Sequence, residues 1–454
     1  MPKSELLRNI VWWVGLTALA ACAGANRLPS SRANFGAACP RNEASCNVVS
    51  GYGGNSVVSG GSGATISGGG QPGLPNRVSG DQGTIAGGDG NLAGEGSVVG
   101  GGVGNSALFF HATVGGGQNN AATAEEATVG GGLNNRASDR FSTVGGGAVN
   151  HASSFFATVG GGSGNTASYN FATVGGGTLN QASSEAGVVA GGNHNLALGS
   201  YSAILGGINN TAAGDSAAIG GGAGNVAVGA YAVIPGGFAN SASGEYSFAA
   251  GRNATVNADH PGTFLFADSS PFQFPSIFPN EFAVRATGGV RFVTALDSSG
   301  NPLSGVRLSP GSGSWENLSD SQAKTGFASV DGRQVLDLLM SIPISTWSYR
   351  SQDPSIHHIG PMAQDFYGAF HVGEDNHYIS TVDEEGVALA AIQELYRLVQ
   401  QDQTRAGATS PAEDSVLRGQ VASLERQLSL SNGLAFAALL TALLAMGRRK
   451  KGSA

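Results

Sequence analysis

The 454-residue chain has few charged residues and almost no lysine. Asp, Glu, Lys and Arg together make up 12% of the sequence, about half of the share usual for globular domains. Only 4 of the 23 basic residues are lysines, and Lys324 is the single lysine between residues 4 and 449. Nucleic-acid binding needs a clustered basic patch that contacts phosphates, and this composition excludes it. The net charge of −8 identifies no partner.

Cysteine is scarce too, and the 3 cysteines form no zinc-site pattern. A basic start and an apolar run at 10–21 lead to Leu-Ala-Ala-Cys22, which resembles a bacterial lipobox. Residues 1–22 are therefore predicted to be an export signal with Cys22 lipidated, and ordinary cleavage nearby is the alternative. Lipidation would leave Cys39 and Cys46 as a pair that could form a disulfide within a linker at 23–47.

The C-terminus carries an apolar stretch at 434–446 that is followed by a basic cluster at 448–451. The stretch is shorter than the roughly 20 residues of a spanning helix, yet the basic cluster is typical of a cytoplasmic stop. We predict a transmembrane anchor at 433–451, with an amphipathic or buried terminal helix as the alternative. The chain between the two ends would then be exported and held at a bacterial membrane, in the periplasm or on the cell surface.

Glycine is abundant, and 63 of the 74 glycines precede residue 319. This glycine-rich part contains a repeat with a period of 15 residues. The repeated asparagines are Asn105, Asn120, Asn135, Asn150, Asn165, Asn180, Asn195, Asn210, Asn225 and Asn240. Six positions before them lie Val99, Val114, Val129, Val144, Val159, Val174, Val189, Ile204, Ile219 and Ile234.

The repeat predicts a mainly β protein whose residues 48–260 form a β-solenoid. Each unit offers one short strand around Thr-Val, a glycine corner and a second short segment around Asn-x-Ala. One unit cannot bury its apolar side alone, so neighbouring units must stack. Stacking places Asn over Asn, and we expect their amides to form a hydrogen-bonded ladder.

The repeat resembles the head of trimeric autotransporter adhesins of the YadA type. Those heads use similar Gly-, Ala- and Asn-rich units, commonly one residue shorter. The resemblance implies a homotrimer and a head that binds a surface or glycan ligand. The repeat itself holds no histidine or paired carboxylate at a fixed phase, so it predicts no catalytic set.

The chain changes character after the repeats. Residues 261–314 mix phenylalanine, proline and alternating apolar positions, which predicts a β neck. Residues 315–400 have the pattern of a small α+β domain. A linker and a coiled coil follow at 401–432, where the seam consists of Leu417, Val421, Leu424 and Leu428.

The isolated lysine lies five residues after Ser319, in Ser-Asp-Ser-Gln-Ala-Lys324. A serine hydroxyl becomes a nucleophile when a base removes its proton, and a lysine with a lowered pKa can be that base. The spacing alone is a weak pattern, and by itself it favours a surface lysine on a polar turn.

Residues 317–400 resemble the intramolecular chaperone domain of the peptidase S74 family, which occurs at the C-termini of phage tail fibres, endosialidases and bacterial surface proteins. The matching stretches are Leu318-Ser319-Asp320 with Lys324, Val-Leu-Asp-Leu-Leu at 335–339, Ile-Ser-Thr-Trp-Ser-Tyr at 344–349, His-Ile-Gly-Pro-Met-Ala-Gln-Asp at 358–365 and Thr-Val-Asp-Glu-Glu-Gly at 381–386. The resemblance implies self-cleavage between Leu318 and Ser319, with Ser319 as the nucleophile and Lys324 as the base.

Two further residues of this stretch, His358 and Gln364, are candidates for orienting the pair or stabilising an oxyanion, although a structural histidine is the simpler interpretation. The other histidines and aspartates nearby match no standard metal spacing, so no metal and no cofactor is expected.

These observations favour an exported, surface-anchored trimeric fibre or adhesin-like protein that matures by self-cleavage. One alternative is a protein like a phage tail fibre, or one that acts on glycans, although a glycosidase needs paired carboxylates. Another is a structural protein whose S74-like domain is an uncut trimerisation cap.

Overall fold

The computed structural model describes residues 36–38, 45–406, 415–416 and 418–423. The chain divides into two units, Met1–Gly288 and Gly289–Ala454. The first unit contains a long parallel β-solenoid, and the second contains a three-stranded antiparallel sheet and a small α+β region. The predicted mainly β fold with a solenoid of 15-residue coils is therefore confirmed.

Each coil of the solenoid contributes two short strands, one to each of two parallel sheets. In the first sheet Thr158 pairs with Thr173 and Val159 with Val174, so equivalent residues of successive coils lie in register. In the second sheet Ala167 pairs with Ala182 in the same way. Since each coil hydrogen bonds to the next one, the 15-residue period of the sequence becomes the period of the sheets.

The strands of the first sheet are Asn47–Val49, Thr65–Ile66, Thr84–Ile85, Val98–Val99, Thr113–Val114, Thr128–Val129, Thr143–Val144, Thr158–Val159, Thr173–Val174, Val188–Val189, Ala203–Ile204, Ala218–Ile219, Val233–Ile234, Gly237–Phe238, Phe248–Arg252, Phe264–Ala267 and Phe282–Arg285, together with Gly36–Ala38. Those of the second sheet are Ser56–Val57, Arg77–Val78, Leu92–Ala93, Ser106–Ala107, Ala121–Ala122, Arg136–Ala137, His151–Ala152, Thr166–Ala167, Gln181–Ala182, Leu196–Ala197, Thr211–Ala212, Val226–Ala227, Ser241–Ala242, Ala254–Val256 and Phe274–Pro275.

The core of the solenoid is narrow because the residues that point inward are small. In one representative coil Ala157, Val159, Asn165 and Ala167 are fully buried. Thr158 points outward from the same strand, as the alternation of side chains along a strand requires. Burial of one β-branched side chain per coil contributes modestly, so the stability of the solenoid depends on the addition of many coils.

The buried asparagines join successive coils, although mostly not by the amide-to-amide contacts expected from the sequence. The Oδ1 atom of Asn120 accepts from the backbone N–H of Asn135 at 2.9 Å. Its Nδ2 atom donates to the carbonyls of Gly116 and Gly132, each at 2.8 Å. Direct Nδ2–Oδ1 contacts between asparagines occur only late in the solenoid, from Asn195 to Asn240, at 3.0–3.1 Å. The amide of Asn120 thus pairs the Gly116 carbonyl and the Asn135 N–H, which have no backbone partner among the described residues, and adds a second hydrogen bond to the Gly132 carbonyl.

Glycine at this corner is required by the close approach of the coils. Gly117 has a φ of +89°, and a Cβ atom there would overlap the carbonyl oxygen of Gly132. Any other residue would combine a strained backbone with a steric clash. The glycine excess of the sequence therefore follows from the spacing between coils.

The solenoid continues beyond residue 260, where the neck was predicted to begin. Phe248–Arg252, Phe264–Ala267 and Phe282–Arg285 are longer strands that still pair in parallel. The rings of Phe248, Phe264 and Phe282 stack on one another at 4.4 and 4.8 Å between centroids. The last coils contain longer turns, which remove the 15-residue period from the sequence while the hydrogen bonding between strands persists.

An ion pair organises this last part of the solenoid. Arg285 Nε donates to Asp268 Oδ1 at 2.9 Å, and its other nitrogens donate to the carbonyls of Arg252, Phe272 and Ser270. Hydrogen bonds from Thr287, and one from Arg285, hold the pKa of Asp268 well below its usual value. The guanidinium thus pairs carbonyl groups of the long turn that would otherwise lack donors.

At the other end, Gly36–Ala38 pairs antiparallel with Asn47–Val49. Cys46, which precedes the second of these strands, is disulfide-bonded. Its predicted partner Cys39 lies outside the described residues, as does Cys22, so the predicted pairing and the predicted lipidation remain predictions.

The second unit begins with the antiparallel strands Val290–Leu296, Pro302–Leu308 and Trp315–Asn317, which we call the neck sheet. Helix α1 (Gly332–Ser341) follows, and then a two-stranded sheet (Ser345–Trp347 and His358–Gly360), helix α2 (Ala363–Phe370) and helix α3 (Thr381–Ala406).

The α+β region of the second unit has a small core. Ile342, Phe366 and Val387 are buried between the helices. Asp331 is the N-cap of helix α1. Its carboxylate accepts from the backbone N–H groups of Arg333 and Gln334 and so fixes the start of the helix. The α+β pattern predicted for 315–400 thus corresponds to the three helices and the two-stranded sheet.

In the part of the chain that the structure describes, no helix is both long enough and apolar enough to cross a membrane. The apolar stretch at 434–446 lies outside the described residues. Residues 415–416 and 418–423 of the predicted coiled coil are helical, whereas Leu417, Leu424 and Leu428 of its seam are not described.

The two adjacent asparagines of one coil allow a matched test of the ladder. Asn135→Ala should leave the carbonyl of Gly131 and the N–H of Asn150 unpaired, while the carbonyl of Gly147 keeps its bond from the Leu133 N–H, which costs roughly 3 kcal/mol of local stability. Asn134 is exposed with a φ of 55°, so Asn134→Ala should cost no more than about 1 kcal/mol. Native-state amide exchange of this coil and its neighbours measures both, and equal effects would contradict the role of the buried amide.

Candidate active site

The residue before the candidate nucleophile is held by the neck sheet. The last neck strand ends at Asn317, and the backbone N–H of Leu318 donates to the carbonyl of Gly305 at 3.0 Å. Gly305 has a φ of +150°, and a Cβ atom there would overlap the carbonyl oxygen of Phe292 in the neighbouring strand. A glycine at 305 therefore lets the strands approach closely enough to fix the backbone at Leu318.

A short 3₁₀ helix turns the chain back after Ser319. It spans Ser321–Ala323, and the side chain of Asp320 caps it by accepting from the backbone N–H of Gln322 at 2.8 Å. The N–H of Lys324 closes the turn on the carbonyl of Ser321. With three residues per turn, this helix brings the fifth residue after Ser319 back toward it.

The turn places the serine and the isolated lysine in direct contact. Lys324 Nζ donates to Ser319 Oγ at 2.7 Å. This geometry suits proton transfer between a nucleophile and its base. Both residues are exposed in the single chain. A lysine loses its proton readily only when burial penalises the charged form, so catalysis would require another surface to cover the pair.

A cavity of about 360 Å³ lies beside Ser319. Its walls come from all three neck strands and include Phe292, Val306, Leu318 and the ion pair between Arg307 and Glu316. Arg307 Nε lies 2.5 Å from Glu316 Oε2 across the last two strands. This hydrogen bond, together with one from Ser309, holds the pKa of Glu316 below its usual value. The pair therefore keeps the carboxylate of Glu316 at the wall of the cavity. It also links the last two neck strands in a defined register.

His358 and Gln364 have surroundings of their own. The ring of His358 stacks on Trp347 at 4.7 Å, and its Nε2 atom lies 2.9 Å from Gln352 Oε1. Gln364 belongs to the first turn of α2 and lines a separate shallow cavity near Leu338. Within residues 45–406, no hydrogen bond or ring contact joins either side chain to Ser319 or Lys324. The structure of the single chain thus brings together Ser319, Lys324 and Leu318, but not the two supporting candidates.

Three contributors to this arrangement were not found from the sequence. Gly305, Asp320 and the Arg307–Glu316 pair act through strand pairing and turn geometry, which a single sequence does not reveal. Asp320 carried one signal, because an Asp immediately before a short polar turn is a common helix cap.

Residues 319–371 match the model of the Peptidase_S74 family, described as the chaperone of endosialidase. The match begins at Ser319, the first residue after the bond predicted to be cut. A search of the curated proteins finds no match to the chain. The chain therefore carries an S74 chaperone domain and, earlier in the sequence, a β-solenoid. Domains of this family are chaperones that cleave themselves, and the combination with a solenoid suggests a fibre protein like those of phage tails.

The anchoring of Leu318 can be tested without any assumption about cleavage. Gly305→Ala should displace the central neck strand, break the hydrogen bond from the Leu318 N–H and speed the exchange of that amide by at least roughly tenfold. Gly313→Ala is the matched control, because a Cβ atom at 313 meets nothing within 4 Å and no unusual φ is required there. Unchanged exchange at Leu318 in the Gly305 variant would contradict the anchoring.

Proposed function

We propose that the protein is a trimeric fibre protein whose S74 domain assists its assembly and then cuts the chain between Leu318 and Ser319. The observation that carries the proposal is the 2.7 Å contact between Lys324 Nζ and Ser319 Oγ at the first residue of the family match. The hydrogen bond from the Leu318 N–H to the Gly305 carbonyl, which holds the residue before the bond that would be cut, supports it further.

The reaction proceeds in two steps. Ser319 Oγ attacks the carbonyl carbon of Leu318 while Lys324 accepts the hydroxyl proton. The C–N bond then breaks, and Lys324 returns the proton to the amine of Ser319, which leaves an ester between the Leu318 acyl group and Ser319 Oγ. Water hydrolyses this ester to a carboxylate on Leu318 and a free hydroxyl on Ser319. The reaction occurs once per chain, in cis.

The exposed apolar surfaces of the second unit support assembly with further copies of the chain. Leu389, Ile392, Tyr396 and Val399 lie on one side of α3 at spacings of 3, 4 and 3, and all are exposed. This is the spacing of a coiled-coil seam. In the neck sheet Phe292 and Leu296 are also more than half exposed. The number three comes from the resemblance of the repeat to YadA-type heads, and S74 domains are typically components of trimeric fibres too.

Assembly would also explain how the exposed pair becomes active. A second copy packed beside Ser319 and Lys324 would remove water from the lysine and favour its neutral form. Cleavage would then follow assembly, so the chaperone would be cut only after the chains are in register. Slow non-local β assembly is prone to aggregation, which gives such a template its value.

Two substitutions test whether Ser319 and Lys324 cleave the chain or only form a hydrogen bond. Wild-type chain should yield two fragments, one ending at Leu318 and one of 136 residues beginning at Ser319. Ser319→Ala and Lys324→Arg should each yield one intact chain, because arginine keeps the positive donor but does not act as a base. Electrophoresis and mass determination of the new N-terminus read the outcome. An intact wild-type chain, or cleavage in the Lys324→Arg variant, would overturn the mechanism.

We also propose that the protein is exported and anchored at a bacterial membrane by a lipid on Cys22, with a second anchor at 433–451. The support is the sequence pattern of the two ends. Cys22→Ser should move the fragment that ends at Leu318 from the membrane fraction to the soluble fraction, while the change of one cysteine leaves cleavage unaffected. If this fragment stays with the membrane in the variant, the lipid is not its anchor.

A further inference from the structure

The turn that precedes each strand of the first sheet concentrates the chemically diverse residues of the solenoid. We call it the variable edge and define it as the residues four to two positions before the strand, such as 139–141 before Thr143. Nine of the twelve charged residues between 48 and 250 lie there, and eight of those nine are acidic. Because charged side chains are rarely buried, we expect the variable edge to face solvent rather than a neighbouring chain.

One position of the variable edge forms a regular column along the solenoid. Its residues have φ angles between 50° and 59° in successive coils. Their N–H groups donate to the preceding coil, as from Tyr201 to Glu185 at 2.8 Å and from Ser216 to Ser200 at 2.8 Å. The members of this edge column are His111, Glu126, Phe141, Phe156, Phe171, Ala186, Tyr201, Ser216, Tyr231 and Tyr246.

Aromatic rings in the edge column stack face to face, one ring per coil. The rings of Phe141 and Phe156 lie 4.7 Å apart at 7°, and those of Phe156 and Phe171 lie 5.6 Å apart at 9°. Tyr231 and Tyr246 stack at 5.1 Å and 7°. Inside these stacks the ring faces cover one another, so only ring edges are available to a ligand.

The column has two gaps where a small residue replaces a ring. Ala186 lies between Phe171 and Tyr201, and Ser216 lies between Tyr201 and Tyr231. The rings on the two sides of a gap are two coil steps apart, roughly 10 Å. A ligand ring at the centre of a gap would lie about 5 Å from each neighbouring ring, which is the spacing at which the rings of the column stack. Each gap therefore has room for one six-membered ring between two aromatic faces.

Each gap also has a carboxylate beside it. Glu185 and Asp215 immediately precede Ala186 and Ser216, and Asp215 uses only its Oδ1 atom, which accepts from the N–H of Ser200 at 3.1 Å. The equivalent acid two coils further along, Glu245, hydrogen bonds to the Tyr246 hydroxyl and raises the pKa of that tyrosine. A carboxylate at this position therefore reaches the outer rim of the column.

We propose that the two gaps are subsites for pyranose rings of a glycan. Each sugar would lie between two aromatic faces, whose negative charge attracts the C–H groups of the ring, and would donate hydroxyl hydrogen bonds to Glu185 or Asp215. The ring planes lie across the solenoid axis, so the subsites suit terminal or branching sugars rather than a polysaccharide running along the solenoid. The inference rests on the proposal that the protein is a fibre protein and gives the class of ligand that its solenoid binds.

The test fills the gaps with the residues that the column already uses. Saturation-transfer NMR on the full chain, with methyl glycosides of glucose, galactose, mannose and N-acetylglucosamine as probes, should show transfer to at least one sugar. The double variant Ala186→Phe with Ser216→Tyr should lose it, because new rings would complete the stack. The folded state tolerates this change, since Phe171 and Tyr201 already adopt the same backbone conformation. Tyr201→Ala, which removes a wall of both gaps, should lose it too.

Phe156→Tyr is the matched control, because both of its faces are covered within a stack. It should leave the transfer unchanged, and circular dichroism should show equal thermal unfolding for all variants. Absence of transfer to every glycoside, transfer that persists in the filled variant, or binding of methylguanidinium in place of the sugars would each overturn the proposal. The same experiment on the uncut Ser319→Ala chain separates it from cleavage, because sugar binding and self-cleavage are read independently.

Discussion

The structure depends on one constraint: the backbone groups of each coil are paired only by the next coil. Two strands of two residues cannot form a sheet alone, and the narrow core of Val159, Ala167 and Asn165 buries little apolar area per coil. The strands and the glycine corners of successive coils must therefore lie in register along the whole repeat. That demand explains the period, the glycines at the corner and the buried asparagines together, because each keeps successive backbones at hydrogen-bonding distance. It also explains why such a chain would benefit from a separate domain that aligns it.

The repeat was predictable because equivalent positions of stacked coils have the same surroundings and therefore hold the same types of residue. Val at one phase and Asn six positions later gave the strand, the corner and the inward side of each coil. The last three coils were not predictable, since their turns lengthen while the pairing from Phe248 to Phe282 persists. The stacking of the asparagines was predicted correctly, but their hydrogen-bond partners were not. A sequence does not show that the Oδ1 atom accepts from a backbone N–H of the next coil.

For the candidate site, the sequence indicated the pair and the bond through its resemblance to S74 domains, and the structure adds the contact between Ser319 and Lys324. What the sequence could not provide lies in long-range strand pairing. Gly305 is separated from Leu318 by a turn and a strand, and only the register of the neck sheet brings its carbonyl to the Leu318 amide. The edge column was also hidden, because its members share a backbone conformation and not a residue type.

The short strand Gly36–Ala38 has a consequence for how the protein behaves in a crowded compartment. A stack of parallel coils leaves an open row of donors and acceptors at its first strand, and another solenoid could add there to form an endless fibre. This strand runs antiparallel to Asn47–Val49 and occupies that row. A reversed strand of three residues offers no template for a further parallel coil. The polarity of one short strand thus closes this edge of the first sheet to a further parallel coil.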